Sequence, residues 1–127
     1  MGYLLDTHTL IWFFENPDKI PEKIIKIIED ENNTKYICSV SLLEIVIKLS
    51  IGKLKMKYSL DIFIKFITNG GIKILHVNND NLNELLVLPF IHKDPFDRFI
   101  IATAIADNLT VVTMDENIHR YDVSCIW

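Results

Sequence analysis

The stretch His92-Lys93-Asp94-Pro95-Phe96-Asp97-Arg98-Phe99-Ile100-Ile101-Ala102-Thr103-Ala104-Ile105-Ala106 decides how this chain is read. It predicts a helix with a sharply marked start. Asp94 is a good N-cap, Pro95 stands where a first-turn proline is tolerated, and Asp97 falls three residues after the cap. Phe96, Phe99, Ile100, Thr103 and Ala104 follow the i, i+3, i+4 spacing of a core-facing stripe. Ile101, Ala102, Ile105 and Ala106 leave the opposite side apolar as well. A helix apolar all round needs cover all round, from its own sheet on one side and something else on the other. As far as Ala106 its charges are confined to the first turn, which makes that turn the first candidate for chemistry.

Outward from this helix, short apolar runs alternate with helical periodicity. Strands are expected over 3–5, 36–40, 72–77, 110–113 and, more weakly, 123–126. Helices are expected over 7–15, 20–30, 42–50 (opened by Ser41 and closed by Gly52), from the Ser59 cap to Gly70, over 80–88 before Pro89, and over 95–107. No tight hairpin signal joins any two strands, so parallel pairing with right-handed crossovers follows. The class is α/β: a mostly parallel sheet of about five strands with helices on both faces. With no repeat, linker or low-complexity segment, residues 1–127 are expected to form one domain.

The chain is 50% hydrophobic with a mean hydropathy of +0.23, so apolar surface left over from the core is expected at a protein interface. No apolar run is long enough to span a bilayer. The first basic residue is Lys19, so no secretory n-region is read, and Cys38 and Cys125 are isolated packing residues, expected to be reduced. The expected compartment is the cytoplasm. A net charge of −4 argues against nucleic-acid binding through bulk positive field. It leaves room for an enzyme whose carboxylates recruit cations before meeting a phosphate.

Ligands of open α/β sheets bind beyond the carboxyl ends of the strands. Four acids fall there: Asp6 after the first strand, Glu44 in the first turn of the helix after the second, Asp97 in the first turn of the helix entering the fourth, and Asp115 just after the fourth. Each has a structural explanation of its own. Ser41-x-x-Glu44 fits a capping box and Glu44 also reaches Lys48 at i+4; Asp94, Asp97 and Asp115 suit helix starts; Arg98 bridges to Asp94. Asp6 is harder to explain so, because an unpaired charge before the apolar run Leu10-Ile11-Trp12-Phe13-Phe14 is costly. Taken together, four converging carboxylates raise one another's pKa unless a cation neutralises them, and an all-oxygen set suits Mg²⁺ or Mn²⁺. A carboxylate-held ion of that kind serves phosphodiester hydrolysis. Walker-type and dinucleotide-binding glycine loops and a Gly-x-Ser-x-Gly elbow are absent. A second Asp two residues after Asp6, expected of a dehalogenase-type phosphatase, is replaced by His8. The paired acids and late lysine of a receiver domain are not visible.

Leu4-Leu5-Asp6-Thr7-His8, Ser41-x-x-Glu44, the block His92-Lys93-Asp94-Pro95-Phe96-Asp97-Arg98 and Val112-Thr113-x-Asp115 occur in that order. Together they resemble the PIN domain, and specifically the VapC-type toxins of toxin–antitoxin pairs, over essentially the whole chain. The resemblance implies a metal-dependent endoribonuclease, usually a homodimer, inhibited by a small antitoxin protein that occupies the groove of the site. It maps the family's acidic quartet onto Asp6, Glu44, Asp97 and Asp115, with Asp94 as an additional acid and Thr113 as a hydroxyl near the site. Alternatives of other kinds are an RNA-processing PIN nuclease without an antitoxin, and a non-catalytic binding module whose acids only cap helices.

Lys48, Lys53, Lys55 and Lys57 form a basic stretch that faces RNA, an acidic antitoxin segment or simply water. Arg98 is a candidate phosphate grip beside the carboxylates. His8 and His92 lie at no catalytic or ligand spacing and are left out of the site. Trp12, Phe13 and Phe14 are expected in the core.

Overall fold

The computed structural model describes residues 2–127. Its first strand, β1 (Gly2–Leu5), sends the fully buried Leu4 and Leu5 to opposite sides of a sheet, because successive strand side chains alternate. The same alternation divides Val111 from Val112 in β4 (Thr110–Val112) and Ile37 from Cys38 in β2 (Thr34–Cys38). Two apolar clusters result, one on each face. With β3 (Ile72–Leu75) and β5 (Cys125–Ile126), the strands form one sheet in the order β3-β2-β1-β4-β5, every pair parallel.

On one face, α1 (Thr7–Glu15), α2 (Glu22–Glu29), α3 (Ser39–Ser50) and α4 (Leu60–Asn69) contribute Leu10, Ile24, Ile45, Phe63 and Ile67. On the other, α5 (Asn79–Val87), α6 (Pro95–Asp107) and the single-turn α7 (Glu116–His119) contribute Leu85, Phe99, Ile100, Ile101 and Ile118. A 3-10 turn at Pro17–Lys19 links α1 to α2. The α/β class, parallel sheet and two-sided helical cover agree with the sequence reading. Since the chain leaves β1 on one side toward β2 and reaches β4 on the other, the crevice beyond β1 and β4 is a topological switch point.

β3, β4 and β5 are shorter than expected and β2 lies two residues earlier than the expected 36–40, and the strand ends show why. Pairing of β2 with β3 stops at Cys38 opposite Leu75, so Ser39 and Val40 join α3 while His76 and Val77 leave the sheet. Thr113 lies just outside β4, and β5 is only two residues long. The earlier start of α3 overturns the capping box: Ser41 is the third residue of the helix, and its hydroxyl accepts from Thr7 Oγ1 at 3.0 Å instead of capping. Glu44 accordingly sits in the second turn.

Six consecutive residues of α6, Phe99 to Ala104, are buried. Their outer cover comes from this chain's own α5, the most extensive helix pairing of the fold, with a smaller contribution from α3. The all-round apolar character of α6 therefore needs no second copy, and the expected dimer loses that support. Exposed apolar side chains lie elsewhere: Leu43, Val46, Ile47 and Ile51 along α3, and Leu82, Leu86, Val87 and Phe90 on and after α5. Asn108 takes the left-handed conformation (φ 54°) that ends α6, a position asparagine tolerates better than most residues. Both cysteines are free, Cys38 buried and Cys125 half-buried. No helix of the described residues is long and apolar enough to cross a membrane.

Candidate active site

Asp6 stands where β1 ends and α1 begins, 3% exposed at the centre of the sheet's carboxyl edge. Its Oδ1 accepts the Thr9 N–H at 2.8 Å, the N-cap bond of α1, and its Oδ2 accepts the Thr113 hydroxyl at 2.5 Å. Burial pushes the carboxyl's pKa up; the bonds from Thr113 and Thr9 and the nearby His8 oppose that rise. Thr113 has a second task. Its oxygen accepts the Asp115 N–H at 3.0 Å, so one buried hydroxyl ties the acid after β1 to the acid after β4. Asp115 in turn caps α7, its Oδ1 accepting the Asn117 N–H at 2.9 Å.

Glu44 reaches the same edge from α3, 3% exposed. Its Oε2 accepts from Lys48 Nζ at 2.7 Å, the expected i+4 pair, while Oε1 is buried with no hydrogen-bond partner. Such an orphaned oxygen is costly to bury unless something positive comes to it. Asp97 enters from the first turn of α6, with its Oδ2 3.4 Å from His92 Nε2. Its pKa is pushed up to about 8, by burial first and then by the negative charges of Asp94, Asp115, Asp6 and Glu44. The fold thus places Asp94, Asp115, Asp6 and Glu44 within electrostatic range of Asp97. Asp94 remains an N-cap, its Oδ1 accepting from the Phe96 and Asp97 N–H groups at 2.9 and 3.0 Å.

The arrangement is a loose ring, not a closed cage. Among the described residues, no three ligating side chains approach closely enough to hold a metal ion as they stand. The donor set nevertheless fits a hard divalent cation. It is all oxygen, it carries an unsatisfied buried carboxylate oxygen in Glu44, and burial together with the surrounding acids pushes the Asp97 carboxyl up to about 8. Lys48 is the cation seen in contact with one of these acids.

Arg98 does not join the carboxylates. Its Nη1 donates to the Pro89 carbonyl at 2.8 Å and the Tyr121 hydroxyl at 3.1 Å, its Nη2 to the Leu88 carbonyl at 3.3 Å, and its guanidinium lies over the Phe90 ring. The next residue after Asp97 in a helix points about 100° away, and the orphan carbonyls after α5 claim it there. The expected bridge to Asp94 is therefore replaced by a bolt between α6 and the segment after α5. His92, which sequence reasoning left out, is where it was not expected. Its Nδ1 lies 2.8 Å from Tyr121 Oη while Nε2 faces Asp97. Tyr121 is 29 positions away from His92, so no local spacing marks the pair. The basic stretch is also less free than its composition suggests. Lys48 is paired with Glu44, and Lys57 is tied to Glu15 through its backbone N–H and, at 2.8 Å, through Nζ to the Glu15 carbonyl. Lys53 and Lys55 remain exposed.

The sequence profile of the PIN domain matches residues 3–124. Among solved structures, VapBC2 from Rickettsia felis, bound to a DNA fragment from its promoter, superposes with a TM-score of 0.74 at 22% identity, covering 99% of this chain and 98% of that one. VapBC-1 from nontypeable Haemophilus influenzae gives 0.70 at 18% identity over 99% and 97%, and FitAcB from Neisseria gonorrhoeae 0.63 at 20% over 98% and 96%. No curated protein sequence matches the chain significantly. At these identities the solved structures speak for the fold, and the profile speaks for the family. With the parallel sheet and the acids gathered at its switch point, the chain belongs to the PIN domain family.

Proposed function

We propose that residues 1–127 act as one divalent-metal-dependent endoribonuclease domain, the toxin of a cytoplasmic toxin–antitoxin pair. The observation that carries the reading is Asp97, a half-buried carboxyl whose ionisation is opposed by burial and then by four neighbouring acids. A cap needs no such company; a cation site does. Asp6, Asp97, Glu44 and Asp115 would hold Mg²⁺ or Mn²⁺, which when bound neutralises the ring, takes up phosphate oxygens and makes water a usable nucleophile.

The chain's own residues prepare that chemistry. Thr9 and Thr113 fix both oxygens of Asp6, so this carboxylate is oriented before any ligand arrives. Lys48 balances one oxygen of Glu44 and leaves the other for the ligand. Asp97 gives up its proton as positive charge enters, which couples occupancy to pH. The acidic rim itself repels an RNA backbone, so substrate is held only when the ring is neutralised. The same rim suits a basic segment of an antitoxin, and the exposed apolar residues of α3 and α5 are surfaces for the antitoxin or for a homodimer partner. Support for a partner also comes from the fold shared with the VapBC and FitAcB structures.

The test is cleavage of a mixed RNA pool by the purified chain with Mg²⁺ or Mn²⁺. Asp97→Asn and Asp6→Asn should each abolish cutting while the far-UV circular dichroism is kept; wild-type rates from Asp97→Asn would sink the assignment. One observation favours a second reading: Asp6, Asp94 and Asp115 all cap helices. A pure binding module follows if neither ion raises the melting temperature and no RNA is cut.

A further inference from the structure

A cavity of about 290 Å³ opens beside the acid ring, lined by Asp6, Asp115, His8, Trp12 and Met114. Two of its walls are flat. The His8 and Trp12 rings lie with centroids 5.7 Å apart at 50°, one helical turn from each other on α1, and His8 is exposed. Met114 stands 53% exposed between Thr113 and Asp115, outside both apolar clusters. Lys19 holds its ammonium over the Trp12 ring, 5.4 Å from the centroid.

We propose that this cavity is a nucleobase subsite, receiving the base next to the phosphate that the acid ring engages; the placement relative to the phosphate rests on the nuclease reading above. Its volume is at the small end of ligand pockets, roughly 300 Å³, which suits one nucleoside better than a peptide segment. The indole, the imidazole and the thioether offer a base its preferred apolar and π surfaces, and an aromatic wall takes any base by stacking. At its edge Asp115, only one oxygen of which is taken by the α7 cap, accepts a hydrogen bond from an exocyclic amino group through the other. Adenine, guanine and cytosine carry such donors and uracil does not, so the subsite ranks uridine last.

Two arms test it separately from catalysis. The first titrates the whole chain with adenosine, guanosine, cytidine and uridine, which are uncharged and have no bond to cut, and follows the NMR signals of the Trp12 indole N–H, the Met114 methyl and His8. Saturable shifts confined to these residues are expected, weakest with uridine, and weakened at least about fivefold in Met114→Ala and His8→Ala. The second maps cut sites on a random RNA pool: both variants should raise KM by a similar factor and flatten the base preference beside the cut. Both side chains are exposed, so a melting curve matching wild type checks the fold. Nucleoside shifts without RNA cutting leave the subsite standing and remove the nuclease. Cutting with unchanged preference in both variants, and no nucleoside shifts, removes the subsite and leaves the nuclease. Shifts produced by a basic peptide and by no nucleoside make the cavity a protein contact and overturn the proposal.

Discussion

Replacing Asp97 with asparagine should stabilise the metal-free protein, and do so increasingly as pH rises. In the folded chain the Asp97 carboxyl titrates at about 8 against an ordinary value of 3.8. Between those values the folded state holds a proton that the unfolded state has released, so stability falls with rising pH. Each pH unit removes at most about 1.4 kcal/mol, so the ceiling between about pH 5 and about pH 8 is roughly 4 kcal/mol. Rearrangement of half-buried neighbours such as Lys48 and residual solvent access lower that to about 2 kcal/mol. Asparagine cannot ionise, so the variant loses this slope. Urea melts of both proteins in chelator, at several pH values across that window, give the difference directly. The gap should widen by about 2 kcal/mol from the acid end to the alkaline end. A gap that stays constant across the window, or an Asp97→Asn variant less stable than wild type near pH 8, would refute the claim that burial and the other acids suppress this ionisation.

Saturating Mn²⁺ or Mg²⁺ should stabilise the wild type by about 2.7 kcal/mol at a hundredfold excess over its dissociation constant, seen as a rise in melting temperature. Glu44→Gln, which neutralises the acid with the orphaned oxygen, should lose most of that rise. Thr113→Val deletes the hydroxyl shared by Asp6 and the Asp115 amide; we expect a loss of about 1–3 kcal/mol in denaturant melts and slower RNA cleavage. Arg98→Lys should cost stability on the order of 1–2 kcal/mol, because a lysine cannot reproduce the fork to Leu88, Pro89 and Tyr121, while cleavage per folded molecule is retained. Retained stability with lost cleavage would return Arg98 to the phosphate.

What the one-dimensional chain determined was the frame. Asp94-Pro95 and the periodicity behind it announce α6 to the residue, and alternating strand and helix signals without hairpins leave only a parallel sheet. These are local properties: a cap satisfies amides two or three positions away, and a stripe repeats every turn. Asp6, Glu44, Asp97 and Asp115 were legible as a set because parallel topology sends every strand end to one edge. Where neighbours in space are strangers in sequence, only the tertiary structure decided. It turned Arg98 away to the carbonyls of Leu88 and Pro89, set His92 against Asp97 with Tyr121 behind it, and covered α6 with α5 instead of a second chain. It also left one oxygen of Glu44 buried without a partner. The physical reason is that a side chain's partner depends on which groups stand opposite once the sheet is assembled, and strand-to-strand adjacency, unlike a helical turn, has no fixed spacing along the chain.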